Sequence, residues 1–327
     1  MKKISILIFF ATVNICFSQN LFEFEEEISN KNKYVFEDFS IENKYDKNIV
    51  KGTLIAPKNS YNKIIIIAPG TGYNSRNNHF ILTEILLKNN IGVFRFDERE
   101  SLNELDNLSS DLFFSTSHLI ETTNKKIGFL GHSLGGLATM EVFEKLKEKI
   151  DFLILWASPI EKHGAFIKYQ IEKGIKSYND LIKAESVEKK IELLDIIHRV
   201  IANNTDKDIN AIYKLIVKET KKKGFKKKQF KYYVSSPNTI SILKKNFEET
   251  YKNIDIPLLY IIGANDQLIN PKRSIKILNS YNNPRITATS IDGLNHFLNK
   301  KKLSDIKASD IYNIEKKASD FIINWLK

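Results

Sequence analysis

Lys126-Ile127-Gly128-Phe129-Leu130-Gly131-His132-Ser133-Leu134-Gly135-Gly136 is the stretch from which the rest of the chain is read. Residues 127–130 form a short apolar run that reads as a buried strand, and Leu137, Ala138, Met140, Val142 and Phe143 follow at helical spacing. Between them lies Gly-x-Ser-x-Gly, with Ser133 at its centre. A serine in a sharp strand-to-helix turn is held in a strained backbone conformation, its hydroxyl pointing out of the sheet. Gly131 and Gly135 are needed because side chains there would collide with the neighbouring strand and helix. The helix that follows aims its free N–H groups at any negative charge forming beside the serine. The bare pattern is common. Its strand–turn–helix setting makes Ser133 a candidate nucleophile.

Strands and helices alternate on both sides of this turn. Upstream, residues 35–41 and 49–56 alternate as an antiparallel strand pair, and 63–68 is a continuous β-branched run that suits a central parallel strand. Pro69-Gly70-Thr71-Gly72 ends it. A helix over 79–88, a strand over 91–96, a polar loop over 97–107 and a helix over 110–121 complete the approach to the turn. Downstream comes a strand over 152–156. From about 160 to 250 there is no convincing strand, only polar, lysine-rich helices such as 187–203 and 209–222. Alternation resumes with a strand at 257–262, a helix at 272–279, a strand at 285–291 and a final helix over 306–326. This pattern predicts a mostly parallel, doubly wound sheet covered on both faces, interrupted late by an all-helical cap over the carboxyl ends of the strands.

A serine hydroxyl is a poor nucleophile at neutral pH, so it needs a general base, and the base needs a third group to fix its tautomer. In such a sheet both partners belong in loops leaving later strands. Asp266 lies in Gly263-Ala264-Asn265-Asp266-Gln267 after one strand, where a turn aspartate is the plainer reading. His296 lies in Asp292-Gly293-Leu294-Asn295-His296-Phe297 after the last strand. Serine, aspartate and histidine in that chain order, each after a strand, predict the triad Ser133–Asp266–His296. An oxyanion needs two backbone N–H donors. Leu134, next to the serine, and Thr71, in the loop after 63–68, are the candidates.

The segments PGTG, FRFDERE, GHSLGG, GANDQLINP and DGLNHF, in that order, resemble the α/β-hydrolase superfamily, and most of all its bacterial esterases of the serine aminopeptidase-like group. The resemblance covers roughly residues 45–160 and 250–327 and implies an α/β-hydrolase fold with Ser133 as nucleophile, His296 as base and Asp266 as orienter. The expected organisation is an export signal over 1–18, the first part of the core over 19–159, a helical cap over 160–250 and the second part of the core over 251–327. One departure stands out. After Arg95-Phe96-Asp97 such relatives continue with an arginine and glycines, whereas here Glu98-Arg99-Glu100-Ser101 follows, so no substrate is carried over from them.

Composition bounds the rest. Apolar residues make up 42% and charged residues 27% of 327, ordinary values for a soluble globular chain with a real core. Met1-Lys2-Lys3, the apolar run 4–15 and Cys16-Phe17-Ser18 read as a secretory signal, too short for a membrane span. Bulky Ile15 argues against a lipid anchor on Cys16. Loss of the signal would remove the only cysteine and lower the formal charge from +11 to +9, since Lys2 and Lys3 leave with it. The mature chain is then secreted or periplasmic, without disulfide or thiol. His79, His118, His163 and His198 lack metal-ligand spacing, so neither metal nor cofactor is expected. His132 reads as packing beside the serine. The lysine-rich run 221–230 reads mainly as a solvated helix end, with weak contact to anionic surfaces as the other reading. No nucleic-acid motif is present. The expected activity is hydrolysis of small-molecule carboxylic esters. Two alternatives stay open: a peptidase of aminopeptidase type, with Glu98, Glu100 and Glu104 holding a substrate amine, and a non-catalytic binding protein on the same fold.

Overall fold

The computed structural model describes residues 28–72 and 74–327. The export signal expected over 1–18, and the acidic stretch as far as residue 27, lie outside the described residues. Eight strands form one sheet: β1 (Tyr34–Glu42), β2 (Ile49–Pro57), β3 (Lys63–Ala68), β4 (Gly92–Phe96), β5 (Lys126–His132), β6 (Phe152–Trp156), β7 (Leu258–Gly263) and β8 (Ile286–Ile291). Their order is β1-β2-β4-β3-β5-β6-β7-β8. β1 runs antiparallel to β2 with Tyr34 opposite Pro57, β2 runs antiparallel to β4, and every other neighbouring pair is parallel. Ile64 to Ile67 have no exposed surface, as a β-branched run covered on both faces should not.

The helices are α1 (Phe80–Lys88), α2 (Glu104–Thr122), α3 (Leu134–Leu146), α4 (Phe166–Glu172), α5 (Lys176–Asn179), α6 (Val187–Ala202), α7 (Ile209–Lys222), α8 (Lys231–Ser235), α9 (Pro237–Lys244), α10 (Glu248–Asn253), α11 (Pro271–Ser280) and α12 (Lys316–Leu326). Several begin on a side chain suited to the task. Asp208 accepts from the N–H groups of Asn210 and Ala211 at 2.8 and 3.0 Å to open α7, and Asn270 with Pro271 opens α11.

Two elements differ from the expectation. α2 begins at Glu104 rather than at 110, because Leu105, Leu108 and Leu112 fall on one face and are buried. The expected loop 97–107 thus ends in a helical turn carrying Glu104 and Asp106, where acidic groups suit the positive end of the helix dipole. The final helix begins at Lys316 rather than 306. The preceding residues make only 3-10 turns, and the chain is extended at Glu315 (ψ 142°), whose N–H donates to the Leu298 carbonyl at 2.9 Å instead of to a helical turn.

The sheet order fixes where a site can form. From β3 the chain passes to β4 on one side, then crosses back over to β5 on the other. Loops leaving the carboxyl ends of β3 and β5 therefore flank a crevice at the point where the order reverses. Between β6 and β7 the regular elements are all helices, with no strand. α4 reaches the loop after β7 through Tyr169 and Gln170, whose side chains donate to the carbonyls of Asp266 and Leu268 at 3.0 and 3.1 Å.

Candidate active site

Ser133 follows β5 directly and opens α3. Its backbone sits at φ 52°, ψ −118°, a conformation that a non-glycine residue adopts only when its surroundings impose it. The constraint is visible on both sides. A Cβ at Gly135 would lie 2.1 Å from the Ala68 carbonyl oxygen and 2.3 Å from that of Pro69, and one at Gly131 would lie 2.6 Å from the Gly136 Cα. These close approaches seat the start of α3 against the loop after β3. In that loop a Cβ at Gly70 would lie 3.3 Å from the Ser133 Cβ, so the backbone leading to Thr71 passes beside the serine. The Leu134 N–H is the first of α3 and has no acceptor within the helix. Neither it nor the Thr71 N–H donates to another described residue.

Asp266 and His296 come together from the loops after β7 and β8. His296 Nδ1 lies 2.7 Å from Asp266 Oδ2, with both side chains buried. The other carboxylate oxygen accepts the N–H groups of Leu268 and Ile269 at 2.7 and 2.9 Å, which fixes the carboxylate plane. A carboxylate can only accept, so the imidazole carries its proton on Nδ1 and leaves Nε2 free to take another. The histidine loop is itself tied down. Asn295 Oδ1 accepts from the N–H of Phe297 at 2.8 Å, and Asn295 Nδ2 donates to Asn299 Oδ1 at 2.7 Å.

Trp156, the last residue of β6, links the two halves. Its carbonyl accepts the Ser133 N–H at 2.8 Å and its indole Nε1–H donates to the His296 carbonyl at 3.1 Å. The Ser133 hydroxyl and the His296 ring are not hydrogen-bonded to each other among the described residues. Such bonds are often long without substrate and tighten when it binds.

The loop after β3 is braced by acidic residues from the far side. Asn74 donates its N–H and Nδ2 to Glu98 Oε2 at 3.1 and 2.6 Å, and Nδ2 also faces the carbonyls of Gly70 and Gly72. The Gly72 N–H donates to Glu104 Oε1 at 2.6 Å. Arg76 pairs with Asp97 through its backbone N–H, Nε and Nη2. Burial pushes the Glu98 carboxyl well above the usual range, against the Asn74 donation that opposes it. Burial likewise lifts Glu104 to about 7, opposed by the Gly72 N–H. Two of the three carboxylates expected to meet a substrate amine, Glu98 and Glu104, are thus engaged with the loop, and the third, Glu100, is exposed. The helical pattern of Leu105, Leu108 and Leu112 was the signal that would have placed Glu104 in a first turn. Nothing in the sequence marked Gly72 as its partner, or Asn74 as the partner of Glu98.

His132 packs beside the serine, stacked on Trp156 with ring centroids 4.6 Å apart. Unforeseen is its partner: His79 Nε2 lies 3.1 Å from His132 Nδ1, and His79 Nδ1 lies 2.8 Å from Asn78 Oδ1. Burial drives the His79 pKa down to about 3 and that of His132 well below its usual value, so both are neutral at ordinary pH. Among the described residues no group of three or more His, Cys, Asp or Glu side chains is placed to hold a metal ion.

Residues 59–300 match the family described as serine aminopeptidase, S33. Among solved structures the chain is similar to the Pyrococcus furiosus esterase Pf2001, at 19% identity and a TM-score of 0.56 over 92% of this chain and 93% of that one. It is similar to a Pyrobaculum calidifontis esterase at 14% identity and a TM-score of 0.55, over 93% and 87% of the two chains. A third likeness is to Est1E from Butyrivibrio proteoclasticus, at 16% identity and a TM-score of 0.52, over 88% and 98%. These likenesses establish the α/β-hydrolase fold. No match is found among curated proteins.

Proposed function

The chain belongs to the serine aminopeptidase, S33, family of α/β-hydrolases, and on that premise we propose that it cleaves carboxylic esters through Ser133, His296 and Asp266. The observation that carries this reading is the 2.7 Å bond from His296 Nδ1 to buried Asp266, across Trp156 from a serine in a strained turn. Ser133 Oγ attacks the acyl carbon while His296 Nε2 takes its proton. The resulting oxyanion rests on the N–H groups of Leu134 and Thr71. Collapse of the tetrahedral intermediate expels the alcohol, which leaves with the proton from His296. Water, deprotonated by the same nitrogen, then releases the acid and restores the serine.

An ester is preferred to a peptide because two of the three carboxylates that would hold a substrate amine, Glu98 and Glu104, are bonded to Asn74 and Gly72 instead, which leaves only exposed Glu100. We read residues 160–250 as a cap whose α4 leans on the Asp266 loop. The basic start, apolar run and Ser18 of residues 1–18 support action outside the cytoplasm. Lys183, Lys226, Lys228 and Lys231 line an open groove of about 860 Å³ beside exposed Tyr232, which supports weak contact with anionic surfaces. Hydrolysis of p-nitrophenyl esters of graded acyl length tests the central reading. Wild-type protein should release p-nitrophenol and Ser133→Ala should not; equal rates would refute it.

A further inference from the structure

We propose that Glu104 is a positioning residue that sets the loop after β3 beside Ser133 and couples that loop to the helical segment between β6 and β7; its catalytic part rests on the ester-hydrolase reading above. Glu104 Oε1 accepts the Gly72 N–H at 2.6 Å. That bond anchors the Thr71–Gly72 peptide, while Asn74 Nδ2, 3.2 Å from the Gly70 carbonyl, holds the adjoining Gly70–Thr71 peptide that carries the Thr71 N–H; anchoring both planes confines the two Thr71 torsions between them. The donor assigned to the oxyanion thus depends for its aim on a side chain that never touches substrate, acting together with Asn74. Aim matters because such donors act only when held where the charge develops.

The same side chain faces the insertion. Asn238 on α9 accepts the Leu105 N–H through Oδ1 at 2.9 Å and presents Nδ2 to Glu104 Oε2 at 3.5 Å, closing over the first turn of α2. Next to it Ser241 bonds Asp106, and Lys245 lies 3.7 Å from the same carboxylate. A shift of α9 therefore moves the first turn of α2, and that turn carries Glu104 and its hold on Gly72. Glu98 from the loop after β4 and Tyr178 from α5 are the titratable groups that feel this carboxylate. Substrate contacts made on the helical segment would be transmitted to the oxyanion loop by this route.

Three variants separate reach from charge. Glu104→Ala removes the acceptor, Glu104→Asp keeps the charge but falls one methylene short of Gly72, and Glu104→Gln keeps an acceptor oxygen at the same reach. Ala and Asp should lower kcat by about tenfold with KM within about twofold, and Gln should stay within about threefold of wild type. Hydrogen exchange over residues 70–74 reads the brace without turnover: the Gly72 amide should exchange about tenfold faster in the Ala and Asp variants and at a near-native rate in Gln. Unchanged exchange at Gly72 in the Asp variant overturns the proposal, even if the Ala variant fails to fold. Unchanged kcat in an enzyme whose Ser133 is required overturns the catalytic part. Faster exchange in a protein that hydrolyses no ester would leave the brace standing and sink the ester reading instead.

Discussion

Replacing Glu104 by glutamine removes a titration whose effect on stability follows from its surroundings. The carboxyl has an ordinary value of 4.5 when unfolded and is lifted to about 7 by burial in the fold. Between those values the folded chain keeps a proton that the unfolded chain releases. Stability therefore falls as pH rises through this window, and the loss is complete above about 7. At about 1.4 kcal/mol per unit the window amounts to about 3 kcal/mol, and partial solvent exposure of the side chain reduces this to about 2 kcal/mol. Other groups contribute to the wild-type curve. Glu98 acts with the same sign, while His79 and His132, held neutral by burial, lose stability as pH falls below the ordinary histidine value of 6.5. The histidine effect is common to the two proteins, and Glu98 is lifted mainly by its own burial with Glu104 a smaller cause, so the difference between them reports Glu104 together with its coupling to Glu98. Urea midpoints followed by tryptophan fluorescence, from about pH 5 to about pH 8, should show the Gln variant gaining about 2 kcal/mol on wild type as pH rises. Parallel curves would refute the assignment of a raised, buried carboxyl to this position.

Further changes probe the frame of the site. Asp266→Asn should lower kcat by about 10³- to 10⁴-fold with little change in KM, because the amide cannot hold His296 with its proton on Nδ1; steady-state kinetics read this directly. Gly135→Ala would place a methyl 2.1 Å from the Ala68 carbonyl oxygen. Its expected cost is about 3 kcal/mol or more, seen as a lowered Tm or loss of soluble protein. Trp156→Phe deletes the indole donor to the His296 carbonyl, and should cost about 1–2 kcal/mol of stability together with a several-fold fall in kcat. A fall in Tm with unchanged kcat would mean that this bond does not help to hold the histidine loop.

The sheet was legible because its signals are local and periodic. The isoleucine run of β3, the glycines around Ser133 and the strand-then-loop settings of Asp266 and His296 each announce themselves within about ten residues. What the sequence did not yield was, with one exception, what depends on residues elsewhere in the chain. The exception is the stretch before residue 110, a polar loop by composition, where Leu105 and Leu108 set the true start of α2. The segment after 303 does not form one helix because Glu315 is extended, its N–H held by the carbonyl of Leu298. The brace of Glu98, Glu104 and Asn74 depends on partners 24 and 32 residues apart. The carboxylates were noticed in the sequence but given a substrate amine as partner, whereas the fold supplies a backbone amide and an asparagine. The pairing of His79 with His132, 53 residues apart, was invisible for the same reason.

The account stands on an activated hydroxyl at Ser133. Its most direct test is exposure of folded wild-type protein to a fluorophosphonate probe at neutral pH, with the adduct mapped by peptide mass spectrometry. The expected result is one phosphonyl group per chain, on Ser133. Folded protein that stays unlabelled at Ser133, or carries its adduct on another residue, would contradict it.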